Sequence, residues 1–255
     1  KDMKHSIVII TLNRCEELNR LLVALSEQTR VPDEVLVVDG GEAGSITDQS
    51  DANGQRPYTL RTLSCEPGIA RQRNMGLNAA AGEIVTFFDD DSEPESGYCE
   101  AVLSLFEADR ERYIAGISGV QHEEQSNGGI EAVFRSCALI QTGRGRNVFR
   151  VSGFPDVSAH VQQARSVDIC ATGAFSFRKD WAIAIPEDAF SGQPLGLSTG
   201  RCFGEDIWFS AYLRRHGKLL QMPEARYIHT PSSQSRENTE TTQALYVFAM
   251  RIISL

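Results

Sequence analysis

Three short, uninterrupted apolar runs, each stopped by polar or acidic residues, constrain this chain more than any other feature. They are Ser6–Leu12 (SIVIITL), Glu34–Val38 (EVLVV) and Glu83–Phe88 (EIVTFF). A strand that is apolar without alternation is suited to burial on both faces, inside a parallel sheet covered by helices on either side. The intervening segments supply the helices. Glu16–Gln28 places Leu18, Leu21, Leu22 and Leu25 at helical spacing ahead of Pro32, and Ile69–Ala81 reads as a helix with Gly82 as its stop. Tyr58–Leu63 and Ile114–Val120 read as further strands, and Tyr98–Asp109 as a further helix. Such alternation predicts an α/β fold with a doubly wound, mostly parallel twisted sheet flanked by helices, Rossmann-like in plan. Ligands of such sheets bind beyond the carboxyl ends of the strands, at the point where strand order reverses.

Beyond residue 120 the pattern loosens. Gln121–Val167 is irregular and carries Gly128-Gly129, Arg144, Arg146 and Arg150. Regular patterning returns at Ile169–Arg178, followed by a loop rich in Gly and Pro (Ser191–Gly204) and a helix over Glu205–His216. Leu219–Gln221 and Ala225–His229 read as two short strands, and Glu240–Leu255 as a helix with Leu245, Phe248, Ile252 and Leu255 on one side. Lys plus Arg number 25 against 34 Asp plus Glu, a net charge of −9. That balance argues against a nucleic-acid binder, which needs a basic face to displace counterions. No apolar run approaches the length of a membrane span. The start, Lys1–His5, is charged and runs straight into a strand, without the pattern of a signal peptide. Six cysteines, none within four residues of another, read as reduced, buried thiols of a cytoplasmic protein.

The strand ends hold the chemistry. Asp89, Asp90 and Asp91 are three adjacent carboxylates closing an apolar strand, an unfavourable arrangement without a cation. If strand geometry continues, Asp89 and Asp91 point the same way and face one Mg²⁺ or Mn²⁺ ion. The alternative is a solvated acidic turn. Asp39, before Gly40-Gly41, suits a ribose or base contact or else a turn. Arg71, Arg73 and Asn74 sit on the helix before the acidic strand, where arginine's planar fork suits a diphosphate. Glu205 and Asp206 open a helix, which the helix dipole favours by itself; Asp206 equally suits a general base. His229 is either structural or a third ligand beside carboxylates. GxGxxG, GxSxG, P-loop and HExxH motifs are all absent.

In order along the chain, SIVIITLNR (Ser6–Arg14), EVLVVDGG (Glu34–Gly41), GIARQRNMGLNAAAGEIVTFFDDDSEP (Gly68–Pro94), GAFSFRKD (Gly173–Asp180) and FGEDIWFSAYLRRHGKLLQMPEARYIHTPS (Phe203–Ser232) resemble the inverting family 2 glycosyltransferases of GT-A fold. The resemblance implies one GT-A domain with a nucleotide-sugar-binding half (1–120), an acceptor-binding and catalytic half (121–239) and a C-terminal helix (240–255). It implies a nucleoside-diphosphate sugar donor, with a UDP-sugar favoured, a divalent cation, and transfer to a saccharide or lipid-linked acceptor. Carried over, Thr11, Asn13, Arg14 and Asp39 are nucleotide contacts, and Arg71 and Arg73 touch diphosphate or base. Asp89 and Asp90 belong to the donor site, with Asp89 toward ribose or sugar. Asp91 and His229 are metal ligands, Asp206 is the catalytic base, and Glu205 positions the acceptor. Here Asp39-Gly40-Gly41 stands where the family more often has Asp-Asp-Gly-Ser. The rival functions are a non-catalytic nucleotide-binding domain and a sugar nucleotidyltransferase, the latter disfavoured by a first turn without glycine. A cytoplasmic location is expected, either free or peripheral at the inner face of a membrane, with the C-terminal helix as membrane contact or dimer surface.

Overall fold

A computed structural model describes residues 2–41, 56–122, 163–186 and 204–230, together with the strand backbone at 148–149 and 155–156. The helix expected over Glu240–Leu255, the arginines at 144, 146 and 150, and most of the Gly- and Pro-rich loop before Gly204 lie outside the described residues.

The strands are β1 (His5–Thr11), β2 (Glu34–Asp39), β3 (Thr59–Ser64), β4 (Ile84–Asp89), β5 (Ser92–Pro94), β6 (Ile114–Gln121), β7 (Val148–Phe149), β8 (Pro155–Asp156), β9 (Arg165–Val167), β10 (Ala174–Arg178) and β11 (Lys218–His229). The α-helices are α1 (Cys15–Ser26), α2 (Ile69–Ala79), α3 (Tyr98–Ala108) and α4 (Glu205–Leu213). One sheet runs in the order β3-β2-β1-β4-β10-β6-β11-β5, with β9 also paired to β11, while β7 and β8 form a separate ribbon. β1 pairs in parallel with β2 and β4, and β2 in parallel with β3. β10 runs antiparallel between β4 and β6, and β6 pairs in parallel with β11.

Successive side chains on a strand face opposite ways, and the core divides accordingly. Ile7, Ile9, Val35, Val37, Ile84 and Phe88 pack with Leu18, Leu21, Leu22 and Leu25 of α1 and with Val102, Leu103 and Phe106 of α3. Val8, Leu36, Val38, Val85 and Phe87 pack on the other side with Ala70 and Leu77 of α2 and Phe209 and Leu213 of α4. The three uninterrupted runs are therefore covered on both faces. Helix α2 sits close because Gly76 has no side chain: a Cβ there would collide with Val8 and come within 3.2 Å of Val38.

The structure departs from the sequence reading in its second half. The regular stretch at Ile169–Arg178 contributes only β10, inserted antiparallel, so the sheet is mixed at its centre. The two short strands near the end are one twelve-residue strand. Its pairing with β6 slips between Gln221 and Arg226, around Pro223, and that slip reads in sequence as a break. The expected helix ends are one to three residues long: α2 stops at Ala79 and α4 at Leu213. Cys99 and Cys170 are buried free thiols, whereas Cys15 and Cys65 are only half-buried.

Beneath α3 a polar thread crosses three strands. His5 Nε2 lies 2.8 Å from Thr86 Oγ1, which lies 2.7 Å from Ser176 Oγ, and the Tyr98 hydroxyl donates to the Ala174 carbonyl at 3.2 Å. His5 is fully buried and its Nδ1 has no partner. Burial, with Arg30 adding to it, pushes the imidazole pKa down to about 3 from its ordinary 6.5. Below pH 6.5 the unfolded chain takes up a proton that the folded chain refuses, so stability falls as pH drops. We expect this residue to remove about 2 kcal/mol between pH 7 and pH 5. Denaturant unfolding of the wild type and of His5→Gln at both pH values should show that increment only in the wild type.

Candidate active site

The chain leaves β1 through α1 to β2 and β3 on one flank, then crosses by α2 to β4 on the other. The connections diverge between β1 and β4, which puts the switch point at the carboxyl ends of those two strands. The residues following them meet there. Thr11 Oγ1 donates to Asp90 Oδ2 at 2.7 Å, and Arg14 Nη1 donates to Asp90 Oδ1 at 2.9 Å. The same Arg14 nitrogen lies 3.4 Å from Asp91 Oδ2. Asn13 makes the turn between them with φ 56°, a left-handed conformation that asparagine tolerates better than most side chains. Asp39, at the end of β2, is buried and accepts a bond from the Gly41 amide at 2.8 Å.

Three consecutive buried side chains on α2 tie this region together. Gln72 Nε2 donates to the carbonyls of Thr11 at 2.8 Å and Val38 at 2.9 Å, holding the ends of β1 and β2. Asn74 exchanges two bonds with the main chain of Ile185: its Nδ2 donates to the carbonyl at 2.8 Å, and the Ile185 amide donates to its Oδ1 at 2.7 Å. Between them Arg73, 3% exposed, spreads its fork to Asp89 Oδ1 at 2.9 Å and Glu205 Oε1 at 2.7 Å. Burial opposes the charge on this guanidinium, but the two carboxylates more than offset it and hold its pKa above the ordinary value. Gln72 is the residue that sequence reasoning passed over; its position between Arg71 and Arg73 was the available signal.

β4 ends at Asp89 and the chain turns through Asp90 and Asp91, so strand geometry does not continue across the triplet, yet the charges of Asp89 and Asp91 both act on His229. Asp89 is bound by Arg73, while Asp91 is bound by Arg14 and by His229, whose Nε2 lies 3.3 Å from Asp91 Oδ1. β11 delivers that histidine by pairing antiparallel with β5, register His229 to Ser92. The imidazole pKa is raised, first by its hydrogen bond to Asp91. Burial pushes Asp90 up to about 6 against the pull of Thr11 and Arg14. Gly173 leaves room beside the second Asp89 oxygen: a Cβ there would stand 3.3 Å from Oδ2.

Gly204, in the left-handed region at φ 87°, turns the chain into α4 and places Glu205 and Asp206 in its first turn. Burial and the neighbouring Glu205 charge push the Asp206 carboxyl up to about 7. A carboxyl raised in this way changes its protonation closer to neutrality than an exposed aspartate does.

The structure brings Thr11, Arg14, Asp90, Asp91 and His229 into one bonded cluster, and joins Asp89 through Arg73 to Glu205, the neighbour of Asp206. Arg71 stands outside it, on the exposed side of α2, with Glu66 at 2.6 Å. Among the described residues no group of three or more His, Cys, Asp or Glu side chains gathers as a metal cage.

The sequence profile described as "Glycosyl transferase family 2" matches residues 6–182. The chain belongs to that family. The matched span covers β1 through β10 and stops before α4 and β11, so Glu205, Asp206 and His229 stand outside it. Among curated relatives, the uncharacterized glycosyltransferase YwdF of Bacillus subtilis is 34% identical over 106 residues, 41% of this chain and 39% of its own length. The GalNAc(5)-diNAcBac-PP-undecaprenol beta-1,3-glucosyltransferase of Campylobacter jejuni is 27% identical over 127 residues, 49% of this chain and 40% of its own. The chain thus spans about two-fifths of the length of these two relatives. The same GT-A type architecture recurs in the solved structure of GalNAc-T7 with UDP, GalNAc and Mn²⁺ (TM-score 0.66, 16% identity, 98% of this chain and 48% of that one). It recurs in S. aureus TarS 1-349 in complex with UDP-GlcNAc (TM-score 0.60, 18% identity, 99% and 66%).

Removing Arg73 leaves the Glu205 carboxylate, and in part Asp89, without its counter-charge. Arg73→Met should therefore cost about 3 kcal/mol of folding stability. A urea titration followed by circular dichroism reads that loss; an unchanged midpoint would mean that the ion pair does not hold the two segments together.

Proposed function

We propose that this protein moves a sugar from a nucleoside-diphosphate sugar, a UDP-sugar first among them, to a hydroxyl of a saccharide or lipid-linked acceptor, with inversion at the anomeric carbon. The observation that carries the reading is the convergence at the β1/β4 switch point. Asp91 and His229 meet within 3.3 Å there, and Arg73 links Asp89 to the segment that bears Asp206. The UDP in both solved neighbours supports the donor class, and the undecaprenol-linked substrate in the name of the Campylobacter relative supports a lipid-linked acceptor. In this reading residues 1–120 form the donor half and 121–239 the acceptor half.

A divalent cation fits the residues present. Asp91 and His229 supply one oxygen and one nitrogen ligand from facing segments, and Mg²⁺ or Mn²⁺ commonly takes its remaining ligands from water and substrate phosphates. When bound, the ion supplies Lewis-acid stabilisation of the charge on the departing diphosphate. Arg14, held against Asp90 and Asp91, adds positive charge on the same side. Thr11, Asn13 and Asp39 line the nucleotide end. The Arg73 fork is already filled by two carboxylates, so in this reading it positions Asp89 and Glu205 and leaves the diphosphate to Arg14.

Asp206 receives the proton of the attacking hydroxyl. As that oxygen bonds to the anomeric carbon, the bond from carbon to the diphosphate oxygen breaks on the opposite face, and configuration inverts in one displacement. Only one carboxylate base is needed, unlike the paired carboxylates of retaining glycosidases.

Asp206→Asn should lower turnover at least ~100-fold while leaving UDP affinity nearly unchanged, the usual weight of a general base. Because the base acts ionised and its pKa is about 7, wild-type turnover should climb as pH rises through neutrality and level off above it. Steady-state rates across pH with a panel of UDP-sugars test both points, and near-normal turnover of the asparagine variant would remove Asp206 from the mechanism.

Asp91→Ala should abolish the Mn²⁺-dependent part of UDP binding. Titration calorimetry with UDP, with and without Mn²⁺, reads this directly; equal metal enhancement in variant and wild type would exclude Asp91 as a ligand.

A further inference from the structure

At the end of the sheet opposite the acidic cluster lies a hollow of about 330 Å³. Arg112, Arg214 and Lys218 line it together with Asp168, the Ser166 hydroxyl and the His216 ring; Arg214 is matched by Asp168 and Arg112 by Asp180, which leaves the Lys218 ammonium as the unmatched charge among the described lining residues. The hollow is separate from the donor site by topology. Ile114 and Lys218 begin β6 and β11, which run parallel to each other, and β10 is antiparallel to both β4 and β6. The starts of β6 and β11 therefore lie at the amino end of β4, whereas Asp89–Asp91 close its carboxyl end.

The cations are held in place ahead of any ligand. Arg214 is tied to Asp168 at 2.8 Å, and Arg112 is paired with Asp180. The Arg112 guanidinium lies over the Trp181 ring at 4.8 Å, and Trp181 stacks on His216 with ring centres 5.8 Å apart. Among the described residues the Lys218 ammonium makes no ion pair or side-chain hydrogen bond. Its strand position is set by its main-chain amide, which donates to the Tyr113 carbonyl at 2.7 Å. Donors thus arrive from four separate segments: before β6, on β9, after α4 and at the start of β11. A planar carboxylate offers two oxygens in one plane, whereas a tetrahedral phosphate offers oxygens to several converging donors at once.

We propose that this hollow is a second anion site that binds a phosphate group, carried by a free phosphorylated compound or by a phospholipid headgroup. The test is a heteronuclear NMR titration of the whole chain with inorganic phosphate in buffer stripped of divalent metal. Amides of residues 166–168 and 214–218 should shift and saturate in the millimolar range, in the wild type and equally in Asp91→Ala. The shifts should be lost in Lys218→Gln and weakened in Ser166→Ala, both exposed positions whose replacement leaves the core untouched. Absence of saturable shifts at this end, or an undiminished response in Lys218→Gln, would overturn the proposal. Co-sedimentation with phosphatidylcholine vesicles containing phosphatidylglycerol, lost in Lys218→Gln, would assign the phosphate to a lipid. Failure to sediment beside a positive titration would assign it to a soluble compound.

Discussion

Arg73 is the interaction on which the arrangement of the site rests. A guanidinium sealed from water is stable only when its charge is matched, and here the matching groups come from distant parts of the chain: Asp89 at the end of β4 and Glu205 at the start of α4. Each partner is satisfied because the others are in place. The pairing brings a segment more than a hundred residues away against the acidic turn, and so sets Asp206 beside it. Burial and the charge of Glu205 lift the pKa of Asp206, so the same network that fixes geometry also sets the titration of its neighbour.

Around that link, the sheet explains why polar residues collect where they do. Parallel strands release their chain ends on one side, and the reversal in strand order opens a crevice there that helices cannot fill. The side chains at that edge then solvate one another. Gln72 caps the carbonyls of β1 and β2, Thr11 and Arg14 take up Asp90, and His229 comes across from β11 to Asp91. Burial beneath the crevice is mostly apolar, and it takes in bonded polar groups, among them the thread from His5 to Tyr98 and the Arg178–Asp109 pair.

The first half of the fold was legible because β1, β2 and β4 are apolar on both faces, the pattern of strands in a covered parallel sheet. β10 and β11 were harder. A strand with one slipped register reads as two, and antiparallel insertion leaves no local mark, since the partners of Ala174–Arg178 are set by tertiary contacts alone. In the site, Asp90, Asp91 and His229 drew notice by residue type and position and Thr11 and Arg14 through the family resemblance, and the five meet in one bonded cluster. The turn at Asp90 and Asp91 was not legible, because nothing in three like residues marks where the strand stops. Nor could spacing reveal that Arg73 would be saturated by carboxylates, a fact that depends on a helix 132 residues further on.

The antiparallel insertion of β10 has a bearing on how the chain assembles. β4 and β6 are made early and each is apolar, yet neither finds a neighbour on its shared side until residues 174–178 have been synthesised. Until then both present unpaired backbone along a greasy margin, the kind of surface that recruits other chains. Closure of the sheet is therefore a late, long-range event that waits on residues 174–178.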